Sequence, residues 1–392
     1  MALFRKKTSP LEKPAQAELD TTGMIDLPYL VLTLLLVSIG VLMMFSASYA
    51  RSYYDTGNSA FYFSRQAIFA LGGIAAMLLV GRLNYFIWYR LSIPILAVSA
   101  LLLGILLIPG VGVTRNGATR WITVAGIEFQ PSEVAKLGMI LVFGALMAAW
   151  KENMDTFAYG VLPYVAIMGV LALLLVFEPH LSATVIIFMV GATMMLIGGT
   201  QKRWFVLGFV LAAGLFVYYI SSKGYAGNRI TAHLDPESDA LGKGYQIIQS
   251  RFAIGSGGLL GLGFGKSRQK YLYLPEGHND YIFAIVCEEL GFVGGVGVIL
   301  LFALLILRGY WIALHARDRF GTLVAAGLTT KLAIQVFFNI GVVTNFLPST
   351  GISLPFFSYG GTALLLQMFE MGVVLSISRW CVNQEAWRKK KA

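Results

Sequence analysis

Apolar runs dominate the chain, and short polar stretches separate them. Ten runs reach the ~20 residues that a helix needs to cross a bilayer. They are 27–50, 62–81, 91–110, 131–150, 156–177, 181–200, 204–222, 281–307, 320–346 and 356–378. They are rich in Leu, Val, Ile and Gly and lack the strict alternation of barrel strands, so helices are the expected spanning element. The pattern predicts an all-α polytopic membrane protein with about ten transmembrane helices. A basic tail (1–26) precedes the membrane domain (27–380), and a second basic tail (381–392) follows it.

Composition sharpens this picture. Of 392 residues, 57% are hydrophobic and 13% charged, too little charge to wet a soluble globule of this size. The net charge of +10 would suggest nucleic acid in a soluble protein. Here its distribution gives another account. With the N-terminus placed in the cytoplasm, 17 Lys and Arg fall in inside loops and tails, against 4 in short outside loops. That bias sets both termini in the cytoplasm and leaves no reason to expect nucleic acid. The first run is too long for a signal-peptide core and reads as an uncleaved anchor. Cys287 and Cys381 build neither a disulfide framework nor a metal site.

Two outside segments are too polar to be plain connectors, 110–132 and 223–279. The second is a large extracellular loop between spans seven and eight, and its mixed apolar and basic content predicts short helices on the outer membrane face. The glycine run 255–265, ending in Gly265-Lys266-Ser267, misses a phosphate loop because Leu260 stands where glycine is required. The breaker-dense segment 348–361 reads either as a tight outer turn or as a re-entrant loop lining a cavity, with Pro355, Ser358 and Gly360 facing that cavity.

Ionisable groups inside spans carry the chemistry, because each is costly unless paired or wet. Glu133 and Lys136 share a helix face at the outer end of span four, as a structural ion pair or a functional one. The pair is expected to face the same cavity as Asp280. Asp280 opens span eight, where it either caps the helix or acts as a general base at the membrane boundary. Glu288 and Glu289 point to different faces, so at least one should pair within the bundle. Lys331 and Glu370 read as helix–helix glue, and the cluster Gly291, Gly294, Gly295 and Gly297 as a close-packing face.

Several of these segments resemble the SEDS family of bacterial cell-wall synthases, over nearly the whole chain after residue 25. The motifs are Asn116-Gly-Ala-Thr-Arg120-Trp-Ile, Phe129-Gln-Pro-Ser-Glu133-Val-Ala-Lys136, Ala253-Ile-Gly-Ser-Gly-Gly258, Leu274-Pro-Glu276, Asp280-Tyr-Ile-Phe-Ala284, Asn339-Ile-Gly and Pro348 through Gly361. Asn116–Ile122 and Ser267–Pro275 are similar to the division and sporulation (FtsW/SpoVE-like) branch rather than the elongation branch. The chain departs from the family at Glu178-Pro179-His180-Leu181-Ser182, where Pro-Asp-Leu-Gly is frequent, and at Thr362, where Ser is usual.

The resemblance implies a peptidoglycan glycosyltransferase in the cytoplasmic membrane that polymerises lipid II on its outer face. It implies a class B penicillin-binding protein as transpeptidase partner, together with other divisome proteins. It assigns the general base to Asp280. Lys136 would steady the substrate diphosphate or orient Asp280, Glu133 would hold Lys136, and Arg120 would contact diphosphate. No protein-bound metal is expected, and a divalent cation at the diphosphate is the one cofactor left open. Two other readings share the architecture: a flippase for lipid-linked precursors, and a non-enzymatic division scaffold. Charges placed mainly at the outer end favour surface chemistry over transport.

Overall fold

A computed structural model of the chain describes residues 23–115, 118–124, 126–178, 180–208, 233–239, 242 and 244–381. In chain order the helices discussed are α1 (Leu27–Thr56), α2 (Phe61–Arg82), α3 (Phe86–Leu106), α4 (Pro131–Ala149), α5 (Leu162–Phe177), α6 (Leu181–Ile197), α7 (Tyr245–Gly257), α8 (Ile282–His315), α9 (Arg319–Val343) and α10 (Gly361–Ser378). Eight helices among the described residues are long and apolar enough to cross a membrane, and α6 is a shorter apolar helix. The expected span 204–222 starts within a helical stretch at 202–208 and otherwise lies outside the described residues, as do most of both basic tails.

Local sequence explains where these helices begin and end. The Asp26 side chain accepts the Tyr29 N–H at 2.9 Å, a proline sits in the first turn of α1, and Gly57 closes it with φ 72°. Pro131 opens α4 in the same way. The 110–132 connector departs from the all-helical expectation. It contains a three-stranded antiparallel sheet of β1 (Val113–Arg115), β2 (Ala118–Val124) and β3 (Ile127–Phe129). Thr119, Ile122, Thr123 and Val124 favour strands, and Gly126 turns the chain at φ 78°. Asn116, part of a family motif, lies outside the described residues.

Helices α4, α9 and α10 are mostly buried, whereas a minority of the residues of α2, α3, α5 and α8 are. That contrast separates the inner helices from those that meet lipid. At one end of the bundle the two ends of the described chain meet. The Gly23 N–H donates to the Arg379 carbonyl at 2.8 Å, and Arg308 donates to both oxygens of Asp26 at 2.7–3.1 Å. Arg379 and Arg319 satisfy the carbonyls of Arg82 and Gly198. The cations counted as cytoplasmic thus also close helix ends there.

The other end carries the loops. Segment 258–263 inserts into a break in α8 at Gly291, whose φ of 70° and ψ of −170° are not helical. Four backbone bonds fill the break: Leu262 and Gly263 donate to the carbonyls of Glu288 and Glu289, and Phe292 and Val293 donate to those of Gly258 and Leu259, at 2.9–3.1 Å. A broken helix leaves backbone groups that only protein or water can satisfy, and here the loop does so. Gly291 therefore marks a helix break rather than a packing face. Both Glu288 and Glu289 pair, mostly with the loop and, for Glu289, also with Ser46 of α1. Glu288 accepts the Arg268 N–H at 2.9 Å. Glu289 accepts from Gly265 N, Ser267 N and Ser46 Oγ at 2.6–3.1 Å and meets Lys270 Nζ at 3.3 Å. The glycine run that resembled a phosphate loop is this inserted segment.

Candidate active site at the outer loops

Asp280 lies one residue before Tyr281, the N-cap position of α8, where no side-chain capping bond is made. Three neighbours fix its backbone. Asn339 of α9 donates to the carbonyls of Asp280 and Ile352 at 2.7 and 2.8 Å. Ser358 Oγ donates to the Asn279 carbonyl at 2.8 Å, and the Tyr359 N–H to that of His278 at 3.0 Å. The last outer loop is thereby stitched to the segment that carries Asp280. Gln66 of α2 holds the loop from its far side, donating to the Ser358 carbonyl and accepting from the Gly360 N–H, both at 3.2 Å. Ser182 donates to the Thr350 carbonyl, and Thr362 to that of Glu128. Gly351, at φ 72°, lies against the carboxylate: a Cβ there would sit 3.3 Å from Asp280 Oδ2.

Pro355, Ser358 and Gly360 line a cavity of about 40 Å³ with Glu133, Gln335 and Gln367. Asp280 is not in its lining. The last outer loop lies against Asp280 at Gly351 and lines the Glu133 cavity from Ser353 onward. The volume is close to that of one water (~30 Å³), not of a sugar.

Behind this cavity lies a cluster that no single motif reveals. Lys136 Nζ is 2.5 Å from Glu133 Oε1, Lys331 Nζ is 3.4 Å from Glu133 Oε2, and Lys331 Nζ is 2.6 Å from Glu370 Oε1. Two cations and two anions balance, and Lys136, Lys331 and Glu370 are almost fully buried. Lys331 and Glu370 do join helices, as expected, but they also complete the surroundings of Glu133. Both lie near the middle of their helices, which qualifies the reading that charge is confined to the outer end.

Arg120 lies on β2, and its charge acts on Glu178 and His180 at the α5–α6 junction. Burial pushes the Glu178 carboxyl up to about 8, with Arg120 pulling the other way. Burial, with help from Arg120 and Lys136, lowers the His180 imidazole to about 3. His180 Nε2 is 3.4 Å from the Gln130 amide nitrogen. Gln66, Ser182, Lys331 and Glu370 are the contributors that sequence reasoning missed or undervalued. A polar residue inside an apolar run was the one signal available for each of them.

Among the described residues no three His, Cys, Asp or Glu side chains gather as a metal site requires.

Comparison with known proteins completes the picture. The family described as "Cell cycle protein" (FtsW, RodA, SpoVE) matches residues 27–382. The chain belongs to this family, the SEDS proteins, on its FtsW/SpoVE-like side. Stage V sporulation protein E of Bacillus subtilis is 42% identical over 91% of this chain and 97% of its own length. A probable peptidoglycan glycosyltransferase FtsW of Trichlorobacter lovleyi is 39% identical, covering 90% and 93%. Among solved structures, a chain of a peptidoglycan synthase complex, described as coordinating polymerization and crosslinking, aligns with a TM-score of 0.75 at 29% identity, covering 91% of this chain and 98% of its own. The rod shape determining protein RodA of Thermus thermophilus aligns at 0.67 and 26%, covering 91% and 97%. Like other SEDS proteins, the chain is a multi-pass protein of the bacterial cytoplasmic membrane.

Proposed function

We propose that this SEDS protein is a peptidoglycan glycosyltransferase that polymerises lipid II at the outer face of the membrane during division or sporulation, with Asp280 as general base. The observation that carries the assignment is the placement of Asp280. Its backbone is pinned by Asn339 and the last outer loop, and its carboxylate lies against Gly351, where no side chain intervenes. A group fixed in this way can meet a hydroxyl without first losing the entropy of ordering.

The reaction is a single displacement. The sugar 4-hydroxyl of one substrate attacks the anomeric carbon of the other, its proton passes to Asp280, and the C–O bond to the diphosphate breaks with inversion. Charge grows on the departing diphosphate, so fixed cations lower the barrier. Arg120 supplies one. Lys136, buried and held by Glu133, keeps a positioning role behind the last outer loop rather than a diphosphate contact, and Lys331 balances Glu370 and the second Glu133 oxygen. A class B penicillin-binding protein is the partner that would crosslink the product. The synthase complex among the structural relatives supports that pairing, and the names of the FtsW relatives support the activity.

Asp280→Asn tests the base. Asn removes the proton acceptor at constant size. Folding and partner binding should persist while glycan ladders from purified lipid II fall ~10²–10⁴-fold. Near-normal polymer from the folded variant would overturn the mechanism. A scaffold or flippase would leave synthesis from externally supplied lipid II independent of this residue.

A further inference from the structure

A second, larger cavity lies apart from Asp280. It has a volume of about 600 Å³ and sits between the outer end of α3, the sheet and the end of α5. Leu106, Ile108 and Phe177 form an apolar wall, and Thr114, Thr119 and Glu178 bring polar atoms. The volume falls within the ~300–1,000 Å³ typical of small-molecule sites. Thr114 and Thr119 satisfy each other, their hydroxyls 2.8 Å apart. Glu178 does not find a partner. Its side chain is 97% buried by residue (3% exposed), and neither Oε1 nor Oε2 has a hydrogen-bond partner in the protein. Two orphaned oxygens on one buried carboxyl are unusual, because buried polar atoms are nearly always bonded.

We infer that this cavity is a saccharide subsite, in which the Glu178 carboxyl binds adjacent hydroxyls of the terminal hexosamine of the donor, whose 4-hydroxyl takes no part in the displacement at Asp280. The inference rests on the glycosyltransferase reading above. Two carboxyl oxygens side by side match two neighbouring hydroxyls. Hydroxyls both donate and accept, so the match holds whether or not the acid is ionised. The apolar wall suits the C–H faces of a sugar ring, and the cavity opens beside the sheet that carries Arg120, the candidate diphosphate contact. A lone ammonium group would use the charge of Glu178 instead, and that alternative makes a different prediction.

The test measures initial rates of glycan-ladder formation against substrate concentration. It uses the full chain with its transpeptidase partner in lipid vesicles. Glu178→Leu removes both oxygens, whereas Glu178→Gln keeps an acceptor and a donor side by side. The leucine variant should raise KM about tenfold with kcat nearly unchanged, the usual worth of two neutral hydrogen bonds. The glutamine variant should stay within about threefold of wild type. Lipid II carrying 3-deoxy-3-fluoro terminal hexosamine loses one of the two bonds and should raise the wild-type KM about threefold, with little further loss in the leucine variant. This arm on the unaltered protein stands even if the leucine variant fails to fold. Equal KM for wild type and a folded leucine variant would overturn the inference while leaving the polymerase intact. Equal losses in Gln and Leu would also overturn it, in favour of an ammonium ligand. A fluoro-substrate used as well as native lipid II would do the same. Wild-type protein that makes no polymer at all would overturn the functional reading first, and this inference with it.

Discussion

Lys331→Met probes the buried charge cluster. Lys331 Nζ lies 2.6 Å from Glu370 and 3.4 Å from Glu133, and Lys136 lies 2.5 Å from Glu133. With all four groups charged, the cluster is neutral. Methionine keeps roughly the shape of the lysine stem and leaves one uncompensated negative charge beyond the reach of water. At an effective dielectric of ~20, Coulomb energies at these separations are roughly 6 and 5 kcal/mol. Desolvation of the charges offsets most of that. The net cost of removing one member of a buried pair is ~3–5 kcal/mol. Lys331→Met/Glu370→Met removes a cation and an anion together and leaves the neutral Glu133–Lys136 pair. It should recover most of the loss, to within about 1–2 kcal/mol of wild type. Thermal unfolding in nanodiscs, followed by tryptophan fluorescence, gives the cycle. The single variant should melt lower by about 4–6 °C, and the double variant close to wild type. Additive losses, with the double variant worse than either single, would refute the view that charge balance holds this site together.

Three further outcomes follow from other parts of the structure. Gly351→Ala places a Cβ 3.3 Å from Asp280 Oδ2 at φ 72°, where a side chain costs ~1–2 kcal/mol; polymerisation should fall about tenfold with partner binding retained, and an unchanged rate would count against this contact. Gly261→Ala drives a Cβ to 2.2 Å from the Glu289 carbonyl and should free the inserted loop, read as rapid hydrogen exchange over 258–270, whereas Gly255→Ala, in α7, meets open space at an ordinary φ and should exchange nearly as wild type. Glu178 binds its proton more tightly in the folded state than in the unfolded chain, so it costs stability as pH rises from its ordinary value towards 8. His180 acts in the opposite sense, but below pH ~6.5, so the window from ~6.5 to 8 isolates Glu178. Wild-type melting temperature should decline across that window, and Glu178→Gln should flatten the decline; parallel slopes would show that Glu178 titrates normally.

The sequence by itself determined the membrane architecture. Runs of ~20 apolar residues and the skew of Lys and Arg need no tertiary information, because bilayer thickness and the cost of bare backbone in lipid act on each segment separately. Glu133, Lys136 and Asp280 stood out for a similar reason, because charge within or beside an apolar run is costly wherever the chain goes, and the base role of Asp280 came from the family resemblance. Only the tertiary structure decided who pairs with whom. Lys331 and Glu370 are 39 residues apart, Glu133 is far from both, and nothing local says that α4, α9 and α10 bring them to within 3.4 Å. The break at Gly291 was likewise invisible. Its cause is segment 258–263, about 30 residues earlier, whose backbone completes the hydrogen bonds that the broken helix gives up. Asp280 was picked out by its place beside the membrane, but Asn339, Ser358 and Gln66 fix its setting from three separate elements. Burial cost is a property of a residue and its neighbours along the chain. Charge compensation and hydrogen bonding between distant segments depend on packing, and packing exists only once the helices have met.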